Sequence, residues 1–486
     1  MNNINNNFYK NKYIEFKNGR ELSKKLTFSD LPLDVILKII EKLGIKDLLT
    51  LKGTSKGMLF FVNQIQNFDL SGQLIGKNIA LLAKGFQKMP NLKSLNLSNN
   101  KINDKDIEAL APSLANMIQL TSLNFYRNNI RDTGSIILAP SLEKLTQLTT
   151  LNLSDNNIRD AGSIILAPSL EKLTQLIILN LSYNNIGDDG ILVLAQSLKK
   201  MTKLTTLNFS GNYNITDIGI QVLASILEKL TQLIALNLCN NNITDNGMRI
   251  LAPILEKLTQ LTTLTLCNNN ITNIGIQVLA SSLEKMTQLT SLDLSYNNIE
   301  KIGIQVLAPS LKKLTYLTSL HFSRNNIEDD GIQVLAHSLE KMTQLITLDL
   351  SCNNIGYDGI HALAPTLANM AQLTTIDLSS NNITDRGSLA LASSLAKMQK
   401  LTSLNFSDIK IGNDGIQILA HSFEKLTQLI TLNLSNNKIR DRGIQSLISN
   451  LEKLSQLRYL YLSGNAIEDI RGKALTLFNT KICLFL

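Results

Sequence analysis

Apolar and polar residues alternate in a short phrase that recurs along the chain. In "LTTLNLSDNNI", residues 148–158, Leu151 and Leu153 alternate with polar Asn152 and Ser154. Alternation over so few residues predicts a short strand with one buried face. The phrase begins at Leu92, Leu120, Leu148, Leu176, Leu204, Leu233, Leu261, Leu289, Leu317, Leu345, Leu373, Leu401, Leu429 and Leu457, a period of 28 with one step of 29. From the repeat at Leu120 onward a Gly follows (Gly134, Gly162, Gly190, Gly219 and onward) and then an apolar pattern at helical spacing, such as "IQVLASSLEKM". Each repeat therefore predicts strand, turn, helix.

Stacked parallel strands lie ~4.8 Å apart and packed helices roughly 8 to 10 Å apart, so such an array must curve, strands inside and helices outside. Asn156, with its equivalents Asn184 and Asn297, sits where the chain leaves the strand, and its amide is expected to bond the backbone groups of the turn. Two departures predict local distortion of the concave rim: the extra residue in "GNYNI", 211–215, and Ile409 in place of the turn Asn. The pattern resembles the leucine-rich repeat family, in its long, helix-bearing, ribonuclease-inhibitor-like kind, over about four-fifths of the chain. The resemblance implies an α/β leucine-rich repeat solenoid, a curved horseshoe. Its array is expected over 92–473, with a degenerate capping repeat at 63–91 and a C-terminal cap or tail at 474–486.

Residues 26–62 do not repeat. Val35, Ile36, Ile39, Ile40 and Leu43, then Leu48, Leu49 and Leu51, form two helical patterns separated by "GIKD", behind a flexible segment at 1–25. A unit of about 40 residues buries little by itself and leaves an apolar face over. The stretch "LPLDVILKIIEKLGIKDLLTLKGTSKGM" resembles an F-box, with Leu31, Pro32, Asp34, Ile39, Leu43, Asp47, Leu48, Ser55 and Lys56 fitting its pattern and Ile40 and Met58 departing from it. The resemblance implies that Leu31, Pro32, Val35, Ile36, Ile39, Leu43 and Leu48 dock a Skp-type adaptor on a cullin scaffold. The repeats would then select the protein to be ubiquitinated. The alternatives are a scaffold or inhibitor without a ligase link, and a GTPase-activating protein using Arg127 or Arg131 as a finger.

Composition narrows the classes. The net charge of +8 comes with Lys beside Glu, as in the recurring "LEKLTQL", so it reads as solvated helix surface and does not imply nucleic acid. No run of 18 residues lacks a polar interruption and the start has no signal-peptide core, which predicts the cytosol. The F-box resemblance implies that of a eukaryotic cell, reached by synthesis there or by bacterial export. No phosphate loop, metal motif or nucleophile with base and orienter is present, so no catalysis and no cofactor are expected.

Helix sequences are nearly interchangeable between repeats, whereas the position before the turn Asn varies and includes Arg127, Tyr183, Tyr296 and Arg324, residue types common in interfaces. On the strand itself the outward residue is mostly Asn, but in four adjacent repeats it is Asp293, His321, Asp349 and Asp377. These eight residues are the predicted target-binding set. The acidic row favours a basic partner and should raise the pKa of His321, and a flat row is not expected to form a metal site. Cys239 and Cys267 share a repeat position on adjacent strands, where duplication accounts for them better than zinc or a disulfide. The chain ends "KICLFL", which resembles a prenylation box at Cys483 and would then add a membrane contact. The alternation of Ile482, Leu484 and Leu486 favours a capping strand instead.

Overall fold

The computed structural model describes residues 65–73, 79–87, 89, 91–451, 453–468 and 483–485. The chain divides into two units, Met1–Ile65 and Gln66–Leu486, and all of these residues but Ile65 belong to the second. The expectations for Leu31, Pro32, Val35, Ile36, Ile39, Leu43 and Leu48 lie outside the described residues.

Among the described residues, sixteen strands form one parallel sheet whose order follows the chain, from Asn67–Asp69 to Cys483–Phe485. Each strand is three residues long and is followed, in the repeats, by a helix on the return path, so the product is an open, curved solenoid with strands inside and helices outside. The register never slips. Leu123 faces Leu151, and Leu320 faces Leu348. These leucines are fully buried, as is the helix residue Leu170, so each repeat completes its core only against its neighbours. Buried serines tie the helices together; Ser338 Oγ donates to Ala308 O at 2.9 Å.

Three residues of strand provide few ladder bonds, and two side-chain ladders supply the rest. The first is the turn Asn. Asn353 Nδ2 donates to Phe322 O at 2.9 Å, Leu350 O at 3.1 Å and Ser351 O at 3.1 Å. Its Oδ1 accepts from Asn325 N at 3.0 Å and Ile327 N at 3.3 Å. One amide thus joins two repeats, and Asn353 N passes the chain on to Asn381 Oδ1 at 3.0 Å.

The second ladder is acidic. Asp245, at the start of one helix, accepts at Oδ1 from Thr272 N at 2.8 Å and Gly275 N at 2.9 Å, in the next repeat, and at Oδ2 from Thr272 Oγ1 at 2.6 Å. This explains the recurrent Gly. A Cβ on Gly275 would lie 2.5 Å from Asp245 Oδ1, so the position is kept small by the neighbouring carboxylate. Where the equivalent of Asp245 is Asn273, Lys301 or Tyr357, no such bond forms to the following Gly303, Gly331 or Gly387, and the next helix starts a residue early with Glu300, Glu328 or Thr384 at φ 58°, 61° and 61°. Asp245→Ala is therefore expected to lower stability by about 2 kcal/mol, the loss of hydrogen bonds to a charged acceptor. Amide exchange at Thr272 and Gly275 measures it; protection equal to wild type would refute the ladder.

Both expected irregularities are local. The extra residue, Tyr213, is 59% exposed in the turn, and the strands on either side still pair Leu207 with Leu236. Ile409 is fully buried, and the early helix start at Thr384 beside it has the same form as at Glu300 and Glu328, whose neighbouring repeats keep the turn residues Asn325 and Asn353. The missing bond to the recurrent Gly, rather than the missing Asn, is the feature common to the three; Asn413, also without a carboxylate, still accepts from Gly443 N at 3.0 Å, and the next helix begins at Asp441. At the far end Tyr461 stacks on Phe485, centroids 4.4 Å apart, and Cys483 N donates to Arg458 O at 2.6 Å. Cys483–Phe485 is thus a strand of the sheet.

Candidate functional site

The concave surface is built from the outward residues of each strand and from the residue preceding the turn Asn. That second position is conformationally special. Asn99, Arg127, Asp155, Tyr183, Gly211, Asn240, Asn268, Tyr296, Arg324, Cys352, Ser380, Asp408, Asn436 and Gly464 all have positive φ, between 49° and 70°. Only Gly adopts this region freely, and Asn and Asp tolerate it best. The Asn, Asp and Gly entries in the series therefore satisfy the backbone. Sequence reading took variation along the series as a mark of specificity and missed this constraint, although the excess of Asn, Asp and Gly signalled it. Arg127, Tyr183, Tyr296 and Arg324 do not satisfy the backbone; each holds a large side chain in a conformation that disfavours it.

The structure fixes these four in pairs and bridges. Tyr183, 49% exposed, lies flat against Gly211, where a Cβ would fall 2.6 Å from its ring, and its hydroxyl accepts from Asn240 Nδ2 at 3.2 Å. Arg324 stands over the ring of Tyr296, 4.9 Å from its centroid. Arg127 Nε lies 3.9 Å from Asp155 Oδ2. Tyr183 and the Tyr296–Arg324 pair thus present preformed aromatic surface at low further entropy cost. Sequence reading also missed Tyr357, which carries Arg386 3.8 Å over its ring, and the exposed Tyr459 beside the Tyr461–Phe485 stack.

Register brings the acidic row together: Asp293 faces His321, His321 faces Asp349 and Asp349 faces Asp377. One oxygen of each carboxylate is structural. Asp349 Oδ1 accepts from Ser351 N at 3.0 Å and Ser351 Oγ at 2.7 Å, the role that Asn152 Oδ1 plays for Ser154. Asp377 Oδ2 takes a further bond from Asn405 Nδ2 at 2.8 Å. His321 Nδ1 lies 3.8 Å from Asp349 Oδ2, and Ser319 Oγ is 2.7 Å from Nε2. Asp349 raises the pKa of His321 above its ordinary value against the opposing effect of burial, with Asp293 adding to the rise. Burial works against ionisation of Asp349, but bonds from His321 and Ser351 bring its pKa below the usual carboxylate value.

The signs fix a pH window. The raised His321 pKa stabilises fully below the unfolded value near ~6.5, and that part is lost as pH rises through the folded value; the depressed Asp349 pKa stabilises above ~3.9 and is lost as pH falls through its folded value. His321→Gln is expected to lose about 1 kcal/mol or less relative to wild type near pH ~5.5 and nothing near pH ~9. Unfolding midpoints at the two pH values measure this, and an equal loss at both would show that the histidine only packs.

Cys239 and Cys267 correct the sequence reading. Their Cα atoms are 4.5 Å apart and their sulfurs are joined as a disulfide, a pairing that adjacent parallel strands permit at this repeat position. Among the described residues, no helix is long and apolar enough to cross a membrane.

A model described as a Leucine Rich repeat matches residues 88–111, 144–164, 172–195, 200–224, 285–308, 313–336, 341–364 and 371–392. A second, described as Leucine Rich repeats (2 copies), matches 427–476, and an F-box domain model matches 28–69. No curated protein matches the chain in sequence. Among solved structures it is similar to an internalin (inlF) from Listeria monocytogenes, 23% identical with a TM-score of 0.43, covering 90% of this chain and 92% of that one. It is also similar to a leucine-rich-repeat protein of Leptospira interrogans, 17% identical with a TM-score of 0.43, covering 88% of this chain and 97% of that one.

Proposed function

We propose that this chain, which belongs to the F-box proteins with leucine-rich repeats, is the substrate-recognition subunit of a Skp–cullin–F-box type ubiquitin ligase. F-box domains generally bind a Skp-type adaptor of cullin ligases, and leucine-rich repeats bind protein targets. In this reading Leu31, Pro32, Val35, Ile36, Ile39, Leu43 and Leu48 form the adaptor-binding face, while the concave face holds the target and does no chemistry. The observation that carries the second half is the row of left-handed positions, where Arg127, Tyr183, Tyr296 and Arg324 stand at a backbone that favours Asn or Gly. Strain kept at exposed residues points to a use for their side chains. Asp293, His321, Asp349 and Asp377 lie on the same face and favour a partner that brings Lys or Arg.

The cytosol of a eukaryotic cell is the compartment this role requires. The deciding experiment is affinity capture from a eukaryotic lysate with the full chain, with a chain lacking residues 26–62, and with Leu31→Asp. Adaptor and cullin should accompany the full chain and vanish from both variants, while the target remains. Retention of adaptor and cullin by both variants would exclude docking through residues 26–62, and a full chain that captures a target but neither adaptor nor cullin would leave the scaffold reading in its place.

A further inference from the structure

Among the described residues, one place gathers three side chains able to hold a metal ion. The sulfurs of Cys239 and Cys267 and a carboxylate oxygen of Asp293 all lie within 4.8 Å of one another. They come from three consecutive repeats, at or just after the strands Ala235–Asn237, Thr263–Thr265 and Ser291–Asp293.

Four departures from the repeat coincide there. Cys239 and Cys267 stand where neighbouring repeats have Ser210 and Ser295, Thr265 stands where the preceding strand has Asn237, and Asp293 begins the acidic row. Register sets Asn237, Thr265 and Asp293 side by side. An Asn at 265 would project its amide beside the carboxylate; Thr265 is shorter and turns its hydroxyl back toward Leu236 O at 3.4 Å. The space beside Asp293 is thereby left to the sulfurs. The change has a second consequence. With no strand Asn in its own repeat, Cys267 donates its N–H to Cys239 Sγ at 2.9 Å, whereas Cys239 N keeps the ordinary bond to Asn237 Oδ1 at 3.0 Å. Asp293 Oδ1 is held by Ser295 N at 2.9 Å, which orients the carboxylate as outer-shell bonds orient metal ligands.

We propose that Cys239 and Cys267, in their reduced state, bind a thiophilic divalent cation of the zinc class together with Asp293. The structure records the other state of the same pair, the disulfide. Binding exchanges no electrons: two thiol protons leave for solvent as two metal–sulfur bonds form, and the carboxylate supplies an oxygen lone pair. Metal–sulfur distances of about 2.3 Å and metal–oxygen distances of about 2.1 Å require donors roughly 3.5–4 Å apart in a tetrahedral centre, so the two sulfurs, joined in the disulfide, must separate by side-chain rotation on reduction. Three protein donors leave a fourth position for water or another ligand. Two thiolates and one carboxylate around a dication leave a single negative charge. The site does not depend on the adaptor reading.

The test uses the full chain, reduced with a phosphine, freed of reductant without air, and titrated with Cd²⁺. Thiolate-to-cadmium charge-transfer absorption is read as the difference from C239S/C267S, which keeps the free thiols Cys352 and Cys483. The expected result is saturation at about one ion per chain, displaced by Zn²⁺. C267S should abolish the band, and its fold is secure because Ser is the repeat's own residue there. D293N should weaken binding at least about tenfold, while D377N, in the same acidic row but outside the cluster, should change it less than about twofold. No saturable difference band from the reduced wild type would overturn the proposal. So would unchanged affinity in D293N, or an equal loss in D377N.

Discussion

Asn353→Ala is expected to destabilise the repeat array by about 3–4 kcal/mol, the cost of two buried N–H groups left without acceptors plus a small cavity. The donors, rather than the carbonyls, decide the size. Phe322 O accepts from both Asn325 Nδ2 and Asn353 Nδ2, and Leu350 O from both Asn353 Nδ2 and Asn381 Nδ2, so each carbonyl keeps a partner after the substitution. Asn325 N and Ile327 N, bonded to Asn353 Oδ1, have no such reserve. Asn353 is fully buried, so water cannot replace the lost acceptor without opening the turn. Denaturant unfolding gives the total, and amide exchange at residues 325 and 327 shows whether the loss is local. In a solenoid the two can differ, because neighbouring repeats unfold in partly independent units. A total loss under about 1 kcal/mol would mean that the asparagines follow the fold without supporting it.

The strand, the turn Asn and the helix were legible because each obeys a short-range rule: alternation, a turn residue, a helical period. The register was legible too, since a constant period leaves no choice of partner. What local pattern does not reveal is bonding between repeats. Asp245 acts on Thr272 and Gly275, so its meaning appears only when two repeats are laid together, and the recurrent Gly proves to be a place cleared for a carboxylate. Cys239 and Cys267 were recognised as neighbours in register, but reading along one row hid Asp293, which sits two positions earlier in the next repeat and reaches the sulfurs diagonally. The acidic row was legible as charge and not as structure. Its Oδ1 atoms cap the turn as Asn does, so only part of each carboxylate is available to a partner.

The left-handed row provides the sharpest separation of binding from folding, because the two respond with opposite signs. Tyr183→Asn combined with Tyr296→Asn should leave the array as stable as wild type or raise it by up to about 1 kcal/mol, since Asn suits positive φ where Tyr does not. The gain is limited by what each ring does at home. Tyr183 loses its contact with Gly211 and its bond from Asn240, and Tyr296 loses the Arg324 guanidinium, an exposed cation–π pair of about 0.5–1 kcal/mol. Target binding should move the other way, by about 2 kcal/mol for each aromatic anchor, or roughly a thirtyfold loss apiece. Helix-face changes such as Lys257→Ala, whose partner Glu228 is as exposed as itself, should leave both quantities nearly unchanged. The measurements are a denaturation midpoint and the affinity for the protein that the wild-type chain retains best from lysate. A variant that binds as well as wild type, or an equal loss from Lys257→Ala, would move the target away from this face and leave the strain at Tyr183 and Tyr296 without a function.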